Sequence, residues 1–538
     1  MTEEFVEIAV IGSGFGGAVM ACRAAEAGRQ VLVLERGKLY RPGDFPRSPL
    51  EMSTNFWDPS EGLFGLFQIW SFRHLDAVVA SGVGGGSLIY ANVILPMPET
   101  WFAASAEDWP LKYSDIAGHY KTVEKMMGAE PFPPHVHQKV PKATIFEDAA
   151  RRAGMDPQPA PLAVTFAGDG KHPGDSFGLP DNNLHRFQRR TCRLCGECDL
   201  GCNDGAKNTL DFTYLSQAQR RGAEIRPLHE VKRITAISGG YELDYVVHRP
   251  PDPPWERVRR PRDEPPPFQR LRARTVVVAA GALGSTWLLL VNRAGLPNLS
   301  AQLGTRFSGN GDAIGFLTGG RDIAESPRGP VITEYAERVD RPYYVQDGGY
   351  PAALGWVGES LRPALYARAG RLLLTRWWER RGGRADSSVS AEMATAIGSA
   401  RLSRSTLPLL AMGMDPLLGT MRLTNGRLDL DWSADGSREY LRDVWQTMTE
   451  MARASDSQFR EVFSRWLSRN VTSHALGGCP MGKDAVHGVV DEHGEVFGHP
   501  GLFVADGSVL PGPVGANPSM TIAALAEHFA DTIVDRRL

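Results

Sequence analysis

Four of the chain's six cysteines stand close together as Cys192, Cys195, Cys198 and Cys202. The spacing, C-x2-C-x2-C-x3-C, is that of the bacterial ferredoxin run, in which thiolates wrap a loop around an iron–sulfur cubane. Asn203 takes the place where that run has Pro, and no second run exists to lend a ligand. The spacing therefore leaves a [4Fe–4S] cluster closed by Cys202, a [3Fe–4S] cluster, a zinc site, or reduced thiols without metal. An iron–sulfur cluster is the favoured expectation.

A second constellation is built for phosphate. Gly12, Gly14 and Gly17 have the spacing G-x-G-x-x-G, between the apolar run at 6–11 and a helix-forming stretch from Ala18 to Ala27. The first glycine permits a tight turn, the second lets a pyrophosphate approach the backbone, and the third lets helix and strand pack closely. Val31 to Leu34 reads as the next buried strand, and Glu35 at its end suits a ribose hydroxyl. Three consecutive glycines then appear in Gly82-Val-Gly84-Gly85-Gly86-Ser87, a run that suggests a backbone nest around an anion or a flat ring.

The elements that must position these groups read as α/β. A second strand–glycine–helix unit runs from Thr275 through Ala280-Gly281 to Leu290. Residues 114–128 predict a helix with Ser114 as N-cap and Gly128 as its stop. Shorter helices are expected over 143–153 and 213–219, and strands over 223–225 and 241–248. Residues 41–80 read as an aromatic loop. The stretch from Arg249 to Pro267 holds eight prolines and reads as a solvated excursion. Residues 320–460 differ in texture. A helix pair is expected within 360–379, a hairpin around Asn425-Gly426, and an amphipathic helix over 438–454. A last helix is expected over 522–534.

The 538 residues carry 59 basic and 62 acidic side chains, a net charge of −3, which excludes nucleic-acid binding driven by bulk positive charge. No apolar run is long enough to span a bilayer, and the N-terminus has no basic or apolar leader. A cytoplasmic location follows as the expectation.

Several of these pieces resemble, in order, the glucose–methanol–choline (GMC) flavin oxidoreductases, most closely their bacterial cholesterol-oxidase-like branch. They are Gly12–Gly17 with Glu35, Gly82–Ser87, Gly205-Ala-Lys207-Asn-Thr-Leu210, His229-Glu-Val231, Ala280–Ser285, His474-Ala-Leu-Gly-Gly-Cys479, Ala505–Ser508 and Gly515-Ala-Asn517-Pro518. The resemblance implies a discontinuous, Rossmann-like FAD domain over 1–40, 75–100, 200–318 and 465–538. It implies an inserted α+β substrate domain based on an antiparallel sheet, with lid and cysteine segments, over 41–74, 101–199 and 319–464.

It also implies an enzyme that oxidises an alcohol to a carbonyl by hydride transfer to non-covalent FAD. The alcohol is expected to be bulky, apolar or sterol-like, and secondary. His474 is the group expected to take the hydroxyl proton, and Asn517, which cannot be a base, is expected to orient the oxygen. FAD contacts are expected from Gly12, Gly14, Phe15, Gly16, Gly17, Glu35, Arg36, Gly82, Gly84, Gly85, Gly86, Ser87, Asn92, Val231, Ala280, Gly281, Asp506, Gly507, Asn517, Pro518 and Met520. Lys207 is either near the active site or structural. Steroid-isomerising relatives carry a glutamate where Ser403 or a neighbour stands here, with Glu392 close by. Dioxygen or a redox partner protein would accept the electrons. The alternatives are a sugar or polyol dehydrogenase that uses the cluster, and a non-catalytic electron-transfer flavoprotein.

Overall fold

A computed structural model of the chain describes residues 4–168, 170–256, 259, 266–338, 341–352, 355, 404–461 and 470–535. The expected helix pair within 360–379, and Ser403 and Glu392, lie outside the described residues.

The strand Glu4–Ile11 is buried over its last four residues and sits centrally in a seven-stranded sheet. It pairs in parallel with Val31–Leu34 on one side and with Gln269–Val278 on the other. Glu224–Arg226 extends the sheet beyond Val31–Leu34. The far edge of Gln269–Val278 is shared. Its first half pairs antiparallel with Gly240–Val247, and its last three residues pair in parallel with Leu502–Val504. The C-terminal segment thus returns to the sheet that the N-terminus begins. Helix Phe15–Glu26 packs on this sheet and against the C-terminal helix Ser519–Asp535. Continuous apolar strands such as Val31–Leu34 suit a sheet covered on both faces.

The second sheet has six strands, all antiparallel, in the order Gln458–Glu461, Ala313–Thr318, Leu407–Gly413, Arg341–Asp347, Glu334–Arg338 and Asp156–Pro159. Helix Arg438–Ala454 lays Leu441, Val444, Met448 and Met451 on it, and helix Pro141–Arg152 adds Phe146 and Ala149. The fold is therefore a Rossmann-like α/β sheet joined to an α+β antiparallel sheet, as expected.

Two local expectations need correction. Residues 67–80 form a hairpin, Phe67–Ser71 against Leu75–Ala80, where a loop was expected. Its alternation is masked by aromatic residues on both faces. Helix Tyr113–Met127 begins one residue before Ser114, and Asp115 caps it by accepting from the Lys112 backbone N–H at 2.8 Å. Ser114 lies inside the first turn.

Candidate active site

A cavity of about 1110 Å³ opens between the two sheets. Its floor is the loop after the first strand. Gly12 has φ +98°, and a Cβ there would come 2.3 Å from the Ala279 carbonyl oxygen. A Cβ on Gly17 would meet the Gly12 carbonyl oxygen at 2.2 Å, so both glycines hold helix and strand close. Gly14 and Gly86 are different. A Cβ on either meets nothing within 4 Å, so both backbones face open space along the cavity. Gly85 touches the Gly14 backbone, bringing the two glycine loops together. No side chain caps helix Phe15–Glu26, which leaves its first N–H groups to an anion.

Glu35 closes the second strand at the cavity wall. Its carboxylate accepts from Ser13 Oγ at 2.7 Å, the Ser13 backbone N–H at 3.1 Å and the Gly37 N–H at 2.8 Å. Burial raises its pKa, and these bonds draw it back. Ser13 Oγ also accepts from the Gly84 N–H at 3.1 Å, so Ser13 couples the acid to the second glycine loop. Arg36 lies over the Trp57 ring, and both line the cavity. Val231 lines it at a register shift in strand His229–Ile237, where the ladder frees backbone groups. Ala280, Gly281, Asp506 and Gly507 follow along the wall. Asp506 is fixed by Ser285 Oγ at 2.5 Å, the Gly281 N–H at 2.8 Å and the Ser508 N–H at 2.8 Å.

Gly17, Gly82, Gly84, Ser87, Asn92 and Met520 are not on the cavity wall. Ser87 Oγ donates to the Gly84 carbonyl and accepts from the Leu210 N–H, bracing the loop. Asn92 is fully buried with φ +71°, and Met520 belongs to the core.

His474 and Asn517 both line this cavity, beyond the glycine loops. His474 Nδ1 lies 2.7 Å from Asp312 Oδ1. The other Asp312 oxygen accepts from Thr472 Oγ1 at 2.7 Å and the Ser473 N–H at 3.2 Å. A carboxylate opposite Nδ1 keeps a proton there, which leaves Nε2 as the accepting nitrogen. Asn517 forms a reciprocal amide pair with buried Gln346. Gln346 Nε2 donates to Asn517 Oδ1 at 2.7 Å, and Asn517 Nδ2 donates back at 3.4 Å. Asn310 holds the preceding loop, accepting from the Val514 and Gly515 N–H groups at 2.9 Å each. Asp312, Gln346 and Asn310 escaped the sequence reading. The only local signal is the Gly309-Asn310-Gly311-Asp312 turn before an apolar strand.

Lys207 is structural. Its ammonium donates to the carbonyls of Leu88 at 3.0 Å, Tyr90 at 2.9 Å and Cys198 at 2.9 Å, tying the glycine loop to the cysteine run. The expected iron–sulfur cluster is not supported. Among the described residues no three His, Cys, Asp or Glu side chains form a group that could hold a metal ion. Leu194, Gly196 and Gly201 turn the run with positive φ, and Gly196 and Gly201 press against Pro327 and Phe45. Burial pushes the Cys192 thiol well above its ordinary value and raises Cys198.

The glycine loops, the acid at the strand end and the open backbone between them fit FAD. A dinucleotide cavity that also presents a histidine–carboxylate pair defines a cofactor-dependent oxidoreductase. The comparisons agree. Models described as GMC oxidoreductase match residues 172–309 and 418–526, and an NAD(P)-binding Rossmann-like domain matches 10–39. A cholesterol oxidase of Acinetobacter baumannii is 30% identical, with 96% of this chain and 92% of that protein aligned. A long-chain-alcohol oxidase of Arabidopsis thaliana is 23% identical over 98% of this chain and 67% of its own. The crystal structure of pyridoxine 4-oxidase from Mesorbium loti shares the fold with a TM-score of 0.63 and 16% identity, covering 99% of this chain and 100% of that one.

The chain belongs to the GMC oxidoreductase family. It is an FAD-dependent oxidoreductase acting on alcohols. Among the described residues no helix is long and apolar enough to cross a membrane.

Proposed function

We propose that the enzyme oxidises a bulky, apolar, sterol-like secondary alcohol to its carbonyl. The observation that carries this reading is the wall around the His474–Asp312 pair. Ile314, Ile332, Leu409, Leu410 and Val471 line the same cavity, and such a wall rewards burial of apolar surface. The names of the cholesterol and long-chain-alcohol oxidases above point the same way. A sugar or polyol would ask this wall for many polar partners.

His474 Nε2 takes the hydroxyl proton, and Asp312 holds the ring and stabilises it when charged. Asn517 Nδ2 has a second N–H to donate to the alcohol oxygen, while Gln346 fixes the amide plane. The isoalloxazine, when bound, supplies the hydride acceptor. Gly12, Gly14, Phe15, Gly16, Glu35, Arg36, Gly85, Gly86, Val231, Ala280, Gly281, Asp506, Gly507 and Pro518 would hold it from the wall. The cofactor is non-covalent, because residues 81–92 hold no His or Cys to bond it. The FAD domain would comprise residues 1–40, 75–100, 200–318 and 465–538, and the substrate domain 41–74, 101–199 and 319–464. The electron acceptor is dioxygen or a partner protein, and the enzyme works in the cytoplasm.

The test is anaerobic bleaching of the flavin by a panel of alcohols. Sterols and long-chain secondary alcohols should bleach it faster than sugars and polyols. Faster bleaching by sugars would overturn the substrate reading. Denaturation should release intact FAD, and admission of air should show whether peroxide forms.

A further inference from the structure

One carboxylate on the cavity wall has no part in the chemistry above. Asp199 sits on the short turn Cys198–Leu200, inside the cysteine run, and lines the cavity as Tyr90, Val331 and Ile332 do. Among the described residues nothing donates a hydrogen bond to its side chain. The cations whose charge acts on it are Lys207 and Lys142. Neither has a proton to spare. An ammonium has three donors. Lys207 uses them on the carbonyls of Leu88, Tyr90 and Cys198. Lys142 uses its own on Asp347 at 2.6 Å, the Val331 carbonyl at 2.8 Å and the Gly348 carbonyl at 3.4 Å. The two lysines thus lend Asp199 a positive field and no hydrogen bond.

We infer that Asp199 is a specificity residue, whose carboxylate receives an N–H or O–H donor that the alcohol substrate carries away from its reacting carbon. The inference rests on the alcohol-oxidising reading of this cavity. A ligand's amine or second hydroxyl would give this carboxylate the donor that the described residues do not supply. The structure also gives the cysteine run a purpose that needs no metal. The Lys207 bond to the Cys198 carbonyl, one residue before Asp199, fixes where the carboxylate stands.

The experiment compares FAD-loaded wild type, Asp199→Asn and Asp199→Ala with matched substrates of one chain length: a plain alcohol, a diol and an amino alcohol. Wild type should favour the diol or amino alcohol in kcat/KM by about tenfold or more, as expected for a hydrogen bond to a charged group. Both variants should lose that preference. A preference for the amino alcohol alone would identify the donor as an ammonium, and an equal preference for the diol would identify a neutral donor. Binding of a simple alkylamine, read from the flavin absorbance, tests the carboxylate without turnover. Amine affinity should fall about tenfold or more in Asp199→Asn. If no alcohol bleaches the flavin but the amine still binds through Asp199, the functional reading fails and the carboxylate's role stands. An unchanged kcat/KM ratio and unchanged amine affinity in both variants would overturn the inference. So would loss of FAD from Asp199→Asn, which would assign the carboxylate to the cofactor.

Discussion

His474 Nδ1 and Asp312 Oδ1 lie 2.7 Å apart although 162 residues separate them in the chain. Asp312 immediately precedes Ala313–Thr318, a strand of the antiparallel sheet, and His474 follows Asn470–Thr472, a strand paired with the hairpin that lines the cavity. The pair therefore depends on the antiparallel sheet being docked against that hairpin. It also fixes which imidazole nitrogen can accept a proton.

Replacing the histidine removes the acceptor. His474→Ala should slow flavin reduction by at least ~100-fold, the lower range for losing a positioned base. Asp312→Asn presents an amide where the imidazole N–H needs an acceptor. It should slow the same step by ~10- to 100-fold while FAD stays bound. Stopped-flow bleaching under anaerobic conditions measures both. Flavin reduction at the wild-type rate in either variant would remove that residue from the chemistry.

The Asn517–Gln346 pair predicts a graded series. Asn517→Ala should cost about 2–4 kcal/mol of transition-state stabilisation, by analogy with a lost oxyanion donor. Gln346→Leu leaves the donor in place and unlocks its plane, so its loss should be smaller, ~10-fold in kcat/KM. A larger loss in Gln346→Leu than in Asn517→Ala would show that the buried glutamine supports more than the amide.

What the sequence could and could not show follows from how far each constraint reaches. Gly12, Gly14 and Gly17 were readable because their spacing belongs to one strand–turn–helix unit, although Gly12 itself presses on the distant Ala279. His474 became readable only through the resemblance, since a lone histidine has no pattern of its own. Asp312 and Gln346 were invisible. Each meets its partner across more than 150 residues, and no periodicity records such a meeting. The cysteine run misled for the opposite reason. Its spacing is local and suits a metal, whereas its geometry answers to Pro327, Phe45 and Lys207, which are distant in sequence or fix the backbone alone. The hairpin over 67–80 was missed because Phe67, Trp70 and Phe72 stand on both faces and blur the alternation.

Contact between the two glycine loops makes a prediction about cofactor retention. Gly85 has φ +52°, and a Cβ there would come 2.6 Å from the Gly14 Cα. Backbone cannot swing aside as a side chain can. Gly85→Ala should separate the loops and lower bound FAD after gel filtration, read from the ratio of flavin to protein absorbance. Gly118 is the control. It lies exposed within helix Tyr113–Met127, and a Cβ there meets nothing within 4 Å. Gly118→Ala should keep FAD and stabilise the fold by about 0.5–1 kcal/mol. Full FAD retention in Gly85→Ala would separate that loop from the cofactor.

Glu334 makes stability depend on pH. It is buried, at 3% exposure. Burial, then the nearby Asp347 and Glu147 carboxylates, push its pKa up to about 8. His137 Nε2 lies 3.3 Å from its Oε1 and 3.5 Å from Glu147. Unfolding returns Glu334 to an ordinary carboxylate, near pH ~4.3. The folded state thus holds a proton that the unfolded state releases above that pH. The stabilisation is complete below pH ~4.3, declines as pH rises, and is lost on passing about 8. Glutamine keeps the shape and the hydrogen-bonding capacity but cannot ionise. Relative to wild type, Glu334→Gln should therefore gain thermal stability steadily between pH 5 and pH 8. Thermal midpoints of both proteins at half-unit pH steps measure the difference. Parallel curves from pH 6 to 8 would mean that Glu334 is ionised in the fold.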